Sequence, residues 1–212
     1  MAVVGATGAG KTTIISLLTR FYDVTDGQIL LDGHDIRDYR LADLRRCFGV
    51  VLQDTALFHM SILENIRYGR EDAEDSAVVE AARAAGAHGF ISRLPEGYQT
   101  LITGGGGSLS QGERQLITIA RAILADAPIL ILDEATSSVD TRTESRIQEA
   151  MLRLTEGRTS FIIAHRLSTI RDADQILLLK NGRVAEMGSH QELMALGGIY
   201  SHMYKTQLGI DD

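Results

Sequence analysis

Cysteine is almost missing from these 212 residues. Cys47 stands alone, so no internal disulfide can form and a reducing compartment is expected. Long apolar runs are missing too. No stretch approaches the roughly 18–20 residues that a membrane span needs, and no basic-then-apolar leader opens at Met1, so the chain as written is expected to be soluble and cytosolic. Positive charge is in deficit: 21 Lys and Arg against 28 Asp and Glu leave a net charge of −7, which argues against duplex nucleic acid as the main partner. There are no repeats and no low-complexity segment beyond the glycine run Gly104–Gly107, and the segment between Gln53 and Leu109 lacks heptads. What is present is an ordinary globular balance, 44% hydrophobic and 23% charged. The length suits one domain, or a core carrying an inserted subdomain.

The densest chemistry lies at the start. After the apolar Met1–Val4 come Gly5-Ala-Thr7-Gly8-Ala9-Gly10-Lys11-Thr12-Thr13, in which Gly5, Gly10, Lys11 and Thr12 satisfy G-x-x-x-x-G-K-[ST]. Gly5, Gly8 and Gly10 let backbone N–H groups wrap a phosphate with no Cβ in the way. Lys11 brings a flexible point charge to the β- and γ-phosphates, and the Thr12 hydroxyl can sit on a bridging Mg²⁺. Ile14, Leu17, Leu18 and Phe21 recur at helical spacing, which predicts an amphipathic helix from about Lys11 whose N-terminus faces the anion. A nucleoside triphosphate is the expected ligand.

Downstream, Gly27–Gly33 reads as a strand ending in an Asp-Gly turn, Leu41–Cys47 as a short helix and Phe48–Leu52 as a buried strand. Helical texture follows: Ser61–Arg67, Asp75–Gly86, His88–Arg93 and, after Pro95 and the glycine run, a long helix with Leu116, Ile119, Ala120, Ile123 and Leu124 on one face. Ile129–Leu132 predicts a strand closing on Asp133-Glu134. Thr141–Leu154 predicts a helix with Ile147, Ala150, Met151 and Leu154 inward, and Ser160–Ala164 a strand ending at His165. Gln175–Lys180 and Arg183–Gly188 flank the hairpin signal Asn181-Gly182. Ser189 and Glu192 form a capping box, and a last helix covers about Ile199–Thr206. Alternating strands and helices predict an α/β fold with a mainly parallel sheet, and the polar candidates cluster at strand C-termini, where such sheets bind ligands.

Each of those candidates has a chemical use. Asp133 is the expected second anchor for Mg²⁺, and Glu134 can polarise the attacking water or take its proton. Gln53 can complete the metal shell, hold the water, or simply end a strand. His165 can donate to the γ-phosphate or be a satisfied histidine at a strand end.

Together these segments resemble the nucleotide-binding domain of ATP-binding cassette (ABC) transporters: GATGAGKTT, VVLQD around Gln53, LSQGERQ, ILILDEATSSVD and IIAHRLSTI occur in family order across essentially the whole chain. The flanking text is most like that of bacterial exporters with a fused membrane domain. The resemblance implies a P-loop NTPase (RecA-like) core over about 1–53 and 128–212, with an inserted α-helical signature subdomain over about 54–127. It implies ATP and Mg²⁺ as ligands, and hydrolysis that powers export. Two cassettes, identical or not, would pack head to tail around two ATPs, and nucleic acid would not be a partner. Lys11, Thr12, Gln53, Asp133, Glu134 and His165 would serve the ATP bound in cis. Ser110 and Gly112 would face the partner's γ-phosphate, and Asp140 would reach across the dimer. The helix at Ile62–Arg67 and the Gln53 loop would contact membrane helices, placing the domain at the cytoplasmic face. A low-turnover regulatory cassette and a non-transport ABC ATPase remain as alternatives.

Three departures accompany the resemblance. The usual LSGGQ reads LSQGE, so Glu113 stands near the triphosphate, or else turns back on its own helix as the capping partner of Ser110. The family's T-x-V-G-E-R-G is replaced by Thr100–Gly106, so the resemblance does not extend to that coupling contact. The aromatic that stacks on adenine would lie upstream of Gly5, so a longer natural polypeptide and weak selection of ATP over GTP by these 212 residues are expected.

Overall fold

Residues 1–52, 56–103, 109–133, 140–164 and 167–208 are described in a computed structural model. In chain order the elements are β1 (Ala2–Val4), α1 (Lys11–Leu18), β2 (Leu30–Leu31), β3 (His34–Asp35), α2 (Leu41–Arg46), β4 (Phe48–Val51), α3 (Ile62–Arg67), α4 (Asp75–Ala84) and α5 (His88–Ile91). They continue with α6 (Gln111–Ala125), β5 (Ile129–Asp133), α7 (Thr141–Thr155), β6 (Thr159–Ile163), α8 (Leu167–Arg171), β7 (Ile176–Lys180), β8 (Arg183–Gly188), α9 (His190–Leu196) and α10 (Ile199–Leu208). The chain forms two compact units. The first holds Met1–Phe48, Ile131–Glu134 and Thr159–Asp212, and the second holds Gly49–Leu130 and Ala135–Arg158.

In the first unit β1 is short yet fully buried, because it is paired on both sides. It runs parallel to β6, with Ala2 opposite Ile162, and parallel to β7, with Val4 opposite Leu178. Its side chains alternate between two cores, as a strand's period of two requires. Ala2 and Val4 join Ile176, Leu178, Leu193 and Tyr200, whereas Val3 joins Ala9 and Leu179. Strand order in this unit is β5-β6-β1-β7-β8, and β8 closes it antiparallel to β7 through a turn with Asn181 and Gly182 at φ 52° and 73°. Positive φ at both central residues is what a tight hairpin demands. Glu186 on β8 accepts from the N–H groups of Ile199 and Tyr200 and so caps α10. The buried Tyr200 hydroxyl lies 2.6 Å from His190 Nδ1, and burial pushes its pKa up to about 12.

Two local expectations change at this level. The strand expected over Gly27–Gly33 pairs only at Leu30–Leu31, because Asp32 and Gly33, both at positive φ, fold the chain straight back onto β3. The apolar stripe expected through Phe21 stops early. Helix α1 ends at Leu18 and Arg20 turns left-handed at φ 53°, leaving Phe21 67% exposed beneath the Arg45 guanidinium, 4.7 Å from its ring centre. Helix α8 had no sequence signature, since five residues are too few to display a helical period.

In the second unit α6 is the hub, with α3, α4 and α7 packed against it. Sequence predicts one apolar face, but Leu116, Ile117, Ile119, Ala120, Ala122 and Leu124 are all buried, and so are Gln115 and Thr118. The α3–α6 crossing is close: a Cβ on Gly69, just past α3, would collide with the Arg121 carbonyl oxygen. In the same unit the Gly49 backbone approaches the Leu130 side chain.

Candidate functional site

The phosphate loop lies in the first unit, between β1 and α1. Gly5, Gly8 and Gly10 adopt φ of 153°, 79° and 107°, values that side chains with a Cβ rarely take. At Gly5 space is also lacking, because a Cβ would come within 2.5 Å of the Leu179 carbonyl oxygen. The loop closes through Ala9 N–H to the Ala6 carbonyl at 3.0 Å. It is tied to the β7–β8 turn by Gly182 N–H donating to the Ala9 carbonyl at 3.0 Å. Ala9 itself is buried against Val3 and Leu179, whereas Thr7, Gly8, Thr12 and Thr13 are exposed. The sequence thus roots the loop on its apolar residue and presents its polar ones.

Gly10 caps α1 without a side-chain hydrogen bond, so no side chain competes for the first amides of that helix. Helix dipole and free N–H groups there favour an anion. Lys11 Nζ donates to the carbonyls of Gly5 at 2.7 Å and Ala6 at 3.1 Å, holding the ammonium over the loop. Asp133 ends β5, two places from β1 in the strand order, and is half-buried. The loop residues Gly5–Thr13 and Asp133 therefore share one unit and one sheet. Gln53, Glu134 and His165 lie outside the described residues.

Ser110, Gly112 and Asp140 belong to the second unit. Ser110 is the N-cap of α6, and the capping box is complete. Glu113 Oε2 accepts from Ser110 N–H at 2.9 Å and from the Ser110 hydroxyl at 3.0 Å, while Glu113 N–H donates to Ser110 Oγ at 3.3 Å. Of the two readings open for Glu113, this is the inward-turned one. Gly112 is buried in the first turn. Asp140 caps α7, accepting from Thr143 N–H at 3.0 Å, and its hydrogen bonds with Thr143 hold its carboxyl below the usual range.

Sequence reading missed one polar brace in the second unit. Asn65 is fully buried: its Oδ1 accepts from Phe58 N–H at 2.8 Å, and its Nδ2 donates to the carbonyls of Phe58 and Ser61 at 3.1 and 3.0 Å. Arg121 on α6 donates to the Asn65 carbonyl at 2.8 Å and covers the rings of Phe58 and Tyr68. The segment around Phe58–Asn65 is thereby fastened to α6. These partners stand far apart in sequence and no local motif joins them.

Comparison with known proteins fits this geometry. The family model described as ABC transporter matches residues 1–137. An uncharacterised ABC transporter ATP-binding protein of Bacillus subtilis is 59% identical over 98% of this chain and 34% of its own length. An ATP-dependent lipid A-core flippase of Syntrophus aciditrophicus is 55% identical over 100% of this chain and 35% of its own. A fatty acid ABC transporter ATP-binding/permease protein of Mycobacterium bovis is 59% identical over 97% of this chain and 33% of its own. The structure of a bacterial Atm1-family ABC exporter with ATP bound superposes with a TM-score of 0.89 at 48% identity, covering 97% of this chain and 36% of that one. The chain thus spans about a third of the length of the curated relatives it matches.

Proposed function

The chain belongs to the ABC transporter family, and from that premise we propose that it is the ATP-hydrolysing motor of an exporter whose membrane domain lies elsewhere in a longer polypeptide or assembly. The observation that carries this is the phosphate loop. Three glycines at positive φ, a rooted Ala9 and an α1 N-terminus with no side-chain cap form a ready anion cradle with Lys11 leaning over it. Among the described residues no helix is long and apolar enough to cross a membrane, and in this reading the power stroke is handed to other segments. The relatives whose names include a permease suggest which kind. The motor would then work at the cytoplasmic face of a membrane.

The loop amides and Lys11 hold the β- and γ-phosphates, and the N-terminus of α1 supplies its dipole. The exposed Thr12 hydroxyl and the half-buried Asp133 carboxylate are hard oxygen donors of the kind Mg²⁺ prefers, and Gln53 would complete the set. Mg²⁺ bound there supplies charge neutralisation across the phosphates. Glu134 takes the proton of the attacking water, and His165 donates to the γ-phosphate. Ser110 and Gly112, at the N-terminus of α6, serve the nucleotide of a second cassette packed head to tail, with Asp140 at the same interface. ATP binding closes the pair and hydrolysis reopens it. A low-turnover regulatory cassette is the second reading, favoured by one observation: the Glu113 carboxylate already sits on Ser110.

A sandwich makes turnover depend on association. ATP turnover per chain, measured against chain concentration, is expected to rise and then saturate as dimers form. Turnover per chain that stays flat from dilute to concentrated solution would contradict the paired site.

A further inference from the structure

The geometry points to Glu113 as a built-in competitor for the partner's triphosphate: its carboxylate occupies the two donors of Ser110 that the nucleotide would need, so closure of the dimer exchanges one anion for another. This inference rests on the reading that Ser110 faces a nucleotide held by a second cassette. A serine hydroxyl has a single proton, and in this chain that proton is given to Glu113 Oε2 at 3.0 Å. The Ser110 N–H goes to the same oxygen at 2.9 Å. A γ-phosphate arriving at Ser110 therefore finds both of that residue's own donors taken, and it meets a negative charge within hydrogen-bond distance of the serine.

The contact has a counterpart elsewhere in the chain. The second capping box has the same form, with Glu192 Oε2 accepting from Ser189 N–H and hydroxyl at 2.8 Å each, at a helix to which no ligand is assigned. The rest of α6 is buried from Gln115 to Ala120, whereas Ser110 and Glu113 lie at its accessible end. Release must come from rotation of the Glu113 side chain, which is half-buried beside the exposed Ser110. Glutamine at this place keeps an acceptor for the Ser110 N–H but carries no charge. It would hold the helix end without repelling the phosphate.

The consequence is a higher nucleotide requirement for pairing. The test is sedimentation of the full chain with Mg²⁺ and the non-hydrolysable ATP analogue AMP-PNP, and again without nucleotide, for wild type, Glu113→Gln and Ser110→Ala. Glu113→Gln is expected to associate about tenfold more tightly with AMP-PNP and no differently without it. Equal or weaker association with the analogue, or tightening that appears without nucleotide as well, would overturn the competitor role. Ser110→Ala is expected to associate more weakly. If it weakens while Glu113→Gln is unchanged, the sandwich stands and the competitor falls. If Ser110→Ala pairs like wild type, the sandwich reading fails and this inference falls with it.

Discussion

Replacing Glu134 with glutamine is expected to lower ATP turnover by about 10²–10⁴-fold while nucleotide binding persists. Ile129–Asp133 is a strand with a buried apolar centre, and it delivers Asp133 to its C-terminal end, with Glu134 the next residue along the chain. In the proposed mechanism Asp133 is committed to the metal, so the next carboxylate is the one left to take the proton of water. Glutamine keeps size and hydrogen bonding but cannot accept that proton. Steady-state phosphate release and fluorescent-nucleotide titration separate the two effects. Turnover within a few-fold of wild type would move the general base elsewhere and would favour the regulatory reading.

Lys11→Ala acts one step earlier. Lys11 Nζ bridges the carbonyls of Gly5 and Ala6, so the side chain both braces the loop and carries its one mobile positive charge. Its loss is expected to cut turnover by about 10²–10³-fold, the usual consequence of removing a single preorganised donor from developing phosphoryl charge. Nucleotide affinity should fall as well, which distinguishes this variant from Glu134→Gln. The apparent melting temperature without nucleotide should change little, because among the described residues the Lys11 ammonium donates to carbonyls of its own loop and ties no second element to it.

Features governed by neighbours a few residues away were legible in the sequence. The loop could be read from residue type alone, because only glycines tolerate φ of 79° and 107° and only lysine supplies the point charge. Both capping boxes, at Ser110 and Ser189, are i to i+3 contacts, and the Asn181-Gly182 hairpin is a two-residue conformational demand. The long apolar strand at Ile129–Asp133 announced its burial. Features set by distant residues were not legible. Phe21 continued the helical period on paper, but its ring lies under the cation of Arg45 from another helix. Helix α6 displayed one apolar face yet is enclosed by α3, α4 and α7, which the period alone cannot report. The Asn65–Arg121 brace joins residues 56 positions apart and leaves no periodic trace. Asp140, assigned across a dimer by resemblance, is seen first as the cap of its own helix.

The head-to-tail pairing itself is tested most directly by mixing two inactive chains. Lys11→Ala removes the phosphate-loop half of a site, and Ser110→Ala removes the signature half. In a sandwich, a mixed pair holds one doubly damaged site and one intact site, the latter built from the Ser110→Ala chain's loop and the Lys11→Ala chain's signature helix. Equal mixing makes about half of the dimers mixed, each with one of two sites intact, so turnover should recover to about a quarter of wild type. Turnover that stays at the sum of the two separate variants would contradict the account, because each chain would then be hydrolysing ATP with its own residues alone.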